Sequence, residues 1–377
     1  MGPPAVEKPL DSGVAMGSGN AASAAVKLAR FPVKHPEAAI NEALVGGYRA
    51  QRHSSPRFGA PLAALDLGTN NCRLLVARPA GMGIRVVDAF SRIVRLGEGL
   101  TATGALSEEA IERTIEALKV CAAKIAFRHI TSGRYVATEA CRRAVNCREF
   151  LSRVQDETGL SIEIISTTEE ARLVVFGCAA LLNPRIPYAL VFDIGGGSTE
   201  IVLVRLEGGS DRRRRRPQIL GSMSLPLGVV TLTDRFGGDV SPATYRTMID
   251  EAATALEQFE RHYRIRRHIR TGRMQMLGSS GTVTTLAGIH LALPRYIRAL
   301  VDGSSLTFDQ IAAVSAHLAG LDLAGRAASP CVGRERADLV LSGCAILDAI
   351  CETWPVGRLR VADRGVREGI LFDLIHG

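Results

Sequence analysis

Two acidic residues and the glycines between them form the part of the sequence best suited to chemistry. They follow an apolar run and precede a second one, and they comprise Asp193, Gly195, Gly196, Gly197, Ser198, Thr199 and Glu200. Consecutive glycines remove every Cβ and allow positive φ, so an anion can approach main-chain N–H groups that point into one concavity. The stretch therefore predicts a phosphate-binding turn, and its flanking carboxylates predict a cation beside it.

An earlier copy of this pattern lies 127 positions upstream (193 − 66). Asp66 corresponds to Asp193 and Gly68 to Gly195, with no gap between the copies. Both copies read as an apolar strand, an Asp-Leu-Gly or Asp-Ile-Gly turn and a second apolar strand. A solenoid has a much shorter period, so this repeat predicts two related half-domains that face each other.

Two further groups of polar residues follow predicted strands, at the strand ends where α/β sheets bind ligands. One lies after the strand predicted at 134–137. The other joins the strand predicted at 274–277 to a helix, which is the geometry of a phosphate site, although the lysine of a P-loop is absent. These positions add candidate phosphate contacts: Arg142, Gly278, Ser279, Ser280 and Gly281.

Glu170 has two interpretations. It follows a predicted strand at 162–165, and with Thr167 it fits a capping box, in which its side chain accepts a hydrogen bond from the Thr167 amide. It also fits a general base that deprotonates the water attacking a phosphorus atom. Spacing alone favours the cap.

Alternating strands and helices must position these residues. Residues 1–59 are rich in Ala, Gly, Pro and Ser and predict a disordered leader. Regular elements follow, and the Asn-Pro pair at 183–184 predicts a crossover between the two halves. With 377 residues and 46% hydrophobic content, the chain can bury a sizeable core.

Composition excludes several classes of protein. No apolar run reaches the roughly 20 residues that span a bilayer, and residues 1–59 lack an export signal, so a cytoplasmic location is expected. The eight cysteines show neither a C-x-x-C pair nor zinc-site spacing. They predict reduced core thiols, and metal binding by Cys141 and Cys147 is the alternative.

The formal net charge of +8 favours an anionic partner. Five consecutive arginines, Arg212–Arg216, and a basic block at 261–273 carry much of the excess. Both also fit a solvated loop and a solvated helix end. Aromatic residues make up only 5% of the chain, which disfavours a single-stranded nucleic acid as partner because stacking platforms are missing.

Four motifs read in order carry a family resemblance. They are Asp-Leu-Gly-Thr-Asn at 66–70, Thr-Glu-Glu-Ala-Arg-Leu at 168–173, Asp-Ile-Gly-Gly-Gly-Ser-Thr-Glu at 193–200 and Gly-Ser-Ser-Gly-Thr at 278–282. With them the chain closely resembles the exopolyphosphatase and guanosine pentaphosphate phosphatase (Ppx/GppA) family over roughly 60–375. It resembles the short form, which lacks the C-terminal histidine-aspartate domain.

The resemblance implies an α/β fold of two actin-like lobes, of the ribonuclease H-like or ASKHA superfamily, with an active-site cleft between them. We expect the first lobe at 60–182 and the second at 183–377, with the terminal helix packing back on the first. A homodimer is one assembly that remains open, and no membrane partner is expected.

The resemblance also assigns roles. It reverses the interpretation of Glu170, which matches the family's catalytic base, and it implies Mg²⁺ held by Asp193 and Glu200. The implied phosphate-binding residues are Asp66, Gly68, Thr69, Asn70, Arg142, Gly195, Gly196, Gly197, Ser198, Thr199, Gly278, Ser279, Ser280 and Gly281.

The implied activity is release of terminal orthophosphate from inorganic polyphosphate, from guanosine pentaphosphate, or from both. The sequence does not separate these substrates, since both present a terminal phosphoanhydride. Two alternatives from other classes are an ATPase or kinase of the same fold and a non-catalytic polyanion-binding protein that uses the arginine run.

Overall fold

The computed structural model describes residue 2 and residues 59–81, 83–206 and 217–376. The predicted leader, apart from its residues 2 and 59, and the run Arg212–Arg216 therefore lie outside the described residues. Within the described part, no helix has the length and apolarity needed to cross a bilayer. All eight cysteines are free and six are buried, as expected for reduced core thiols.

The first sheet has five strands in the order β3-β2-β1-β4-β5. Strands β1 and β2 pair antiparallel, as do β2 and β3, whereas β4 is parallel to β1 and β5 to β4. The central strand β1 is apolar along nearly its whole length because both of its faces are buried. The strands are β1 (Leu62–Leu67), β2 (Asn71–Ala80), β3 (Gly83–Ile93), β4 (Ser132–Ala137) and β5 (Glu163–Ile164).

The second sheet has six strands in the order β10-β11-β9-β6-β7-β8. Its β8-β7-β6-β9-β11 portion repeats the order and directions of the first sheet, with β6 in the place of β1. The two half-domains predicted from the sequence repeat are therefore confirmed. The strands are β6 (Tyr188–Ile194), β7 (Thr199–Arg205), β8 (Gln218–Leu225), β9 (Met274–Ser279), β10 (Ser305–Thr307) and β11 (Arg358–Ala362).

Fourteen α-helices cover the sheets in the described part of the chain. Five belong to the first half: α1 (Leu100–Thr103), α2 (Glu108–Phe127), α3 (Glu139–Arg143), α4 (Cys147–Thr158) and α5 (Thr167–Cys178). The others are α6 (Val229–Phe236), α7 (Pro242–Tyr263), α8 (Ile265–Arg270), α9 (Gly281–His290), α10 (Arg298–Val301), α11 (Phe308–Ala319), α12 (Leu323–Ala328), α13 (Val340–Thr353) and α14 (Val366–His376).

The capping-box interpretation of Glu170 is wrong. The N-cap of α5 is Ser166, whose side chain accepts a hydrogen bond from the Glu169 amide at 3.2 Å, and Thr167 is already the first helical residue. Ser166 satisfies an amide of the first turn that has no partner within the helix. The Glu170 side chain therefore does not cap the helix.

A core shared by the two sheets contains helices α5 and α14. Apolar residues of β1 and β4 and of β6, β7 and β9 pack there against both helices. The two helices meet backbone to backbone, since a Cβ added to Gly369 would lie 2.1 Å from the Leu173 carbonyl oxygen, and one added to Gly177 would lie 2.1 Å from that of Gly365. This contact fixes α14 beside the strands that carry the site.

We predict that Gly369→Ala destabilises the protein by about 1 to 3 kcal/mol, because the methyl group must push the two helices apart. Urea unfolding measures the change. Gly320→Ala is the control: Gly320 directly follows the last residue of α11, and a Cβ there would meet only ordinary contacts at 3.5 Å. Equal stability of the two variants would show that the helices separate without cost.

Candidate active site

The two glycine-rich turns have the same internal geometry. In the β1–β2 turn the Gly68 amide donates to the Asn71 carbonyl at 2.9 Å, and in the β6–β7 turn the Gly195 amide donates to the Ser198 carbonyl at 2.8 Å. Each turn follows a central strand, so both lie at corresponding edges of the two sheets. The sequence repeat thus places two phosphate-type turns at one cleft.

The turns touch each other across that cleft. A Cβ on Gly196 would lie 3.0 Å from the Asn70 amide nitrogen, and one on Gly197 would lie 2.7 Å from Thr69 Oγ1. Side chains at these two glycines would force the lobes apart. The absence of Cβ atoms is therefore needed for the close approach of the two backbones.

A pocket of about 120 Å³ opens where the turns meet. Most of the residues predicted to form the site line it: Asp66, Gly68, Thr69, Asn70, Glu170, Asp193, Gly195, Gly196, Gly197, Ser198, Ser280 and Gly281. The structure thus gathers residues from four separate segments of the sequence, 66–70, 170, 193–198 and 280–281, around one cavity.

Two carboxylates at the ends of the central strands face the pocket from opposite lobes. Asp66 is the next-to-last residue of β1, and Asp193 is the next-to-last residue of β6. Burial raises the pKa of Asp66, and the nearby Arg73 opposes this shift. Burial also raises the pKa of Asp193 to about 6, where Arg73 again opposes and Asp66 adds to the shift. The pocket therefore concentrates negative charge that lacks a full complement of cations.

Glu170 lies at the start of α5, and its side chain points into the same pocket. The residue is 7% exposed, and its Oε2 accepts a hydrogen bond from Arg142 Nη1 at 2.8 Å. Burial raises the pKa of Glu170 well above its usual range; the charge of Glu200 adds to this shift and Arg142 opposes it. A carboxylate with a raised pKa is a stronger base near neutral pH.

Ser280 joins β9 to α9 in a strained conformation. Its φ of 145° lies in a region that side chains rarely adopt, while its hydroxyl accepts a hydrogen bond from the Val283 amide at 3.2 Å as the N-cap of α9. Such strain persists where the surrounding structure enforces it, and it is common at binding sites. Here it turns the first residues of α9 toward the pocket.

Five residues predicted for the site lie outside the lining of this pocket. Thr199 donates to the Leu227 carbonyl and Ser279 to that of Arg364. Gly278 packs against Phe192, leaving no room for a side chain. Their predicted roles remain predictions, and the five are Arg142, Thr199, Glu200, Gly278 and Ser279.

Arg142 and Glu200 act on the pocket through other residues. Arg142 Nη2 donates to Glu139 Oε2 at 2.9 Å and its Nη1 to the Ile165 carbonyl at 3.0 Å, so its guanidinium is held beside Glu170. Glu200 is 2% exposed and accepts hydrogen bonds from Ser198 and from Ser224. Burial and the charge of Asp193 raise the pKa of Glu200 to about 7.

Sequence reasoning missed three arginines. Arg73 and Arg336 line the pocket, and together with Arg367 they line an adjoining cleft of about 970 Å³. Within the described residues none of the three forms an ion pair. The repeat held a signal for Arg73. In the strand register Arg73 of β2 lies opposite Asp66 of β1, just as Glu200 of β7 lies opposite Asp193 of β6. Arg367 follows the last strand, at the kind of strand end where α/β sheets bind ligands, whereas nothing local marked Arg336.

The pocket suits a hard divalent cation. The side-chain oxygens Asn70 Oδ1 and Asn71 Oδ1 are buried without a hydrogen-bond partner, and Asp66 and Asp193 add carboxylate oxygens. No group of three or more His, Cys, Asp or Glu side chains in the described part could hold a metal by itself. Magnesium fits such a site because it takes one or two carboxylates and completes its shell with water and phosphate oxygens.

Comparison with known proteins identifies sequence relatives. Residues 75–377 match the Ppx/GppA phosphatase family. Exopolyphosphatase 2 of Mycobacterium tuberculosis is 31% identical over 331 residues, covering 83% of this chain and 98% of that protein. The guanosine-5'-triphosphate,3'-diphosphate pyrophosphatase of Aeromonas hydrophila is 34% identical over 325 residues, covering 86% of this chain but 60% of that longer protein.

Solved structures are similar as well. An exopolyphosphatase-like protein superposes with a TM-score of 0.74 at 28% identity, and the Aquifex aeolicus member of the Ppx/GppA family superposes with a TM-score of 0.67 at 29% identity. Each comparison covers 84% of this chain and 97% of the other. The predicted fold of two actin-like α/β lobes is confirmed. So is the prediction of a hydrolase, because the chain belongs to the Ppx/GppA phosphatase family.

Proposed function

We propose that this protein releases terminal orthophosphate from inorganic polyphosphate, from guanosine pentaphosphate, or from both. The observation that carries the proposal is that the two turns and the buried carboxylate of Glu170 line the same pocket. Relatives named for each of these two activities support it. A pocket of this size accepts a terminal phosphate, while the adjoining cleft receives the rest of the substrate.

The proposed reaction is direct attack by water. Arg142 holds Glu170 Oε2, which leaves Oε1 to accept a proton from a water molecule. The water oxygen bonds to the terminal phosphorus, the bond from that phosphorus to the bridging oxygen breaks, and the bridging oxygen leaves with the shortened substrate. Positioning and charge stabilisation carry most of such a reaction, so no phosphorylated enzyme is required.

Main-chain amides of the two turns and the cation would share the stabilisation of charge. Asp193, Asp66 and Asn70 Oδ1 are the groups that would hold Mg²⁺, which when bound neutralises charge on the phosphoryl oxygens. Glu200 would contribute by orienting the Ser198 hydroxyl, to which it is bonded at 2.7 Å. The amides need no reorientation when the substrate arrives, because the turn hydrogen bonds already fix them.

The adjoining cleft would bind the phosphates behind the terminal one. Arginines are abundant in its lining, and Arg73, Arg336 and Arg367 have no ion-pair partner in the described part of the chain. Burial lowers the pKa of Arg336 and of Arg367, and this effect outweighs the opposing effect of nearby acidic groups. A substrate with several phosphates supplies that charge.

Phosphate release from long-chain polyphosphate and from guanosine pentaphosphate, measured side by side, tests the function. We expect release from at least one of them without added ATP, which an ATP-dependent ATPase or kinase does not show. Magnesium and salt must be equal in both assays because polyanion affinity depends on salt. Absence of release from both substrates would overturn the proposal.

We predict that Glu170→Gln lowers kcat by roughly 10² to 10⁴ and leaves substrate binding nearly unchanged, since the amide cannot accept the proton. Steady-state kinetics and a direct binding assay separate the two effects. The neighbouring Glu169→Gln is the matched control, because Glu169 pairs with Arg134 and Arg172 outside the pocket. Similar kcat values for Glu170→Gln and the parent protein would exclude Glu170 as the base.

We also predict that magnesium stabilises the protein more at pH 8 than at pH 5. Folding raises the pKa of Asp193 from 3.8 to about 6 and that of Glu200 from 4.5 to about 7. Such groups hold their protons more tightly when folded, so the free energy of unfolding falls as pH rises from about 4 to about 7. For Asp193 the loss is on the order of 3 kcal/mol, and a bound cation restores part of it.

Thermal unfolding at both pH values, with EDTA or with Mg²⁺, measures this effect. In Asp193→Asn we expect a weaker pH dependence and a smaller magnesium response. Asp348→Asn is the control, because burial also raises the pKa of Asp348 to about 6 but its partners are Tyr245 and Ser315, away from the pocket. A magnesium response that is the same at both pH values would contradict the assignment.

A further inference from the structure

A segment of the first lobe braces the first phosphate turn from behind. It follows β3, and its Val94 and Arg95 amides donate to the Asn70 carbonyl at 2.9 and 3.1 Å. The Gly97 amide donates to the Thr69 carbonyl at 2.9 Å. A Cβ at Gly97 would lie 2.3 Å from Thr69 Cγ2, so the segment cannot move without disturbing the turn.

The side chain of Arg95 reaches across the cleft to the second lobe. Its Nη1 donates to Asp338 Oδ2 at 2.8 Å and its Nη2 to Asp338 Oδ1 at 2.9 Å. Nη2 also donates to the Glu335 carbonyl at 3.1 Å. A two-pronged arginine–carboxylate pair of this kind fixes both the distance and the orientation of its partners.

Both ends of this ion pair belong to segments that form the pocket. On the second lobe, Arg336, Leu339 and Val340 flank Asp338 and line the pocket. On the first lobe, the backbone of Arg95 holds the Thr69–Asn70 turn. One residue therefore couples the first phosphate turn, through its amide, to the opposite wall, through its guanidinium.

The backbone of Arg95 is strained to make this contact. Its φ of 48° lies in the left-handed region, which is unfavourable for a residue with a bulky side chain. Glycine would adopt the same conformation without strain. An arginine at this strained position is therefore explained by the contact that its side chain makes, and not by the backbone conformation.

We propose that the Arg95–Asp338 ion pair is a latch that holds the two lobes closed and keeps the first phosphate turn in its binding position. The proposal rests on the proposed function, since the occupant of the closed cleft is the phosphorylated substrate. Substrate binds the closed form, so any loss of its population weakens apparent affinity by the same factor. At saturation the substrate itself restores closure, and kcat changes little.

Kinetics of Arg95→Ala, Asp338→Asn and the double variant test the latch. We expect KM to rise about three- to tenfold in each single variant, with kcat within about twofold, and no further rise in the double variant because the two residues act as one unit. Arg95→Lys keeps the positive charge but loses the two-pronged guanidinium geometry. Its KM should therefore lie between that of the parent protein and that of Arg95→Ala. Multiplying effects in the double variant, or a fall in kcat with KM unchanged, would overturn the proposal.

Arg246→Ala is the matched control. Arg246 forms a similar two-pronged pair with Glu352 at 2.8 and 2.9 Å, but both residues lie in the second lobe. Its KM should match that of the parent protein. An equal rise in KM in this control would show that loss of any such pair has the effect.

Hydrogen–deuterium exchange of the substrate-free protein gives a readout that does not depend on turnover. Loss of the latch should speed exchange of peptides covering 94–100 and 335–340 while leaving those of α7 unchanged. Unchanged exchange at both segments in Arg95→Ala would overturn the latch even if the enzyme is active. Faster exchange in a protein that cleaves neither substrate would instead support the latch and reject the proposed function.

Discussion

Burying an ionised carboxylate is most unfavourable when other carboxylates lie nearby. Four carboxylates lie close together at this cleft: Asp66, Glu170, Asp193 and Glu200. Such a group of like charges is stable only if cations and donors surround it. The Arg142 guanidinium supplies one positive charge and Arg73 a second, and the hydroxyls of Ser198 and Ser224 donate hydrogen bonds to Glu200. The negative charge that remains uncompensated is of the kind that a divalent cation and main-chain amides can neutralise.

The duplicated half-domain explains how this concentration of charge is built. Each central strand has an aspartate at its next-to-last position and leads into a turn that begins with glycine, so two equivalent edges face each other. At the register position opposite this aspartate, the first lobe has Arg73 and the second has Glu200. Because both repeats supply an acid at the strand end, an arginine at this position is an internal counter-ion that the symmetric arrangement would lack.

Local sequence predicted the parts of the site that obey local rules. Three consecutive glycines after a strand revealed the second turn, since few other functions need consecutive residues without Cβ atoms. The earlier copy of the same Asp-x-Gly pattern revealed the first. Spacing misled for Glu170, because Ser166, one residue earlier, fulfils the capping role. The Arg95–Asp338 contact joins residues 243 positions apart, and the adjoining cleft also combines distant segments, so no pattern within one segment encodes either of them.

The contact between α5 and α14 has a consequence for how the chain acquires its structure. Strand β1 begins at Leu62, yet the helix that covers the shared core begins at Val366, about 300 residues later. During synthesis on the ribosome, the apolar inner face of the first sheet must wait for that helix before it is buried. The nascent first lobe thus carries exposed apolar surface for most of translation, which is the condition under which chains recruit chaperones or aggregate.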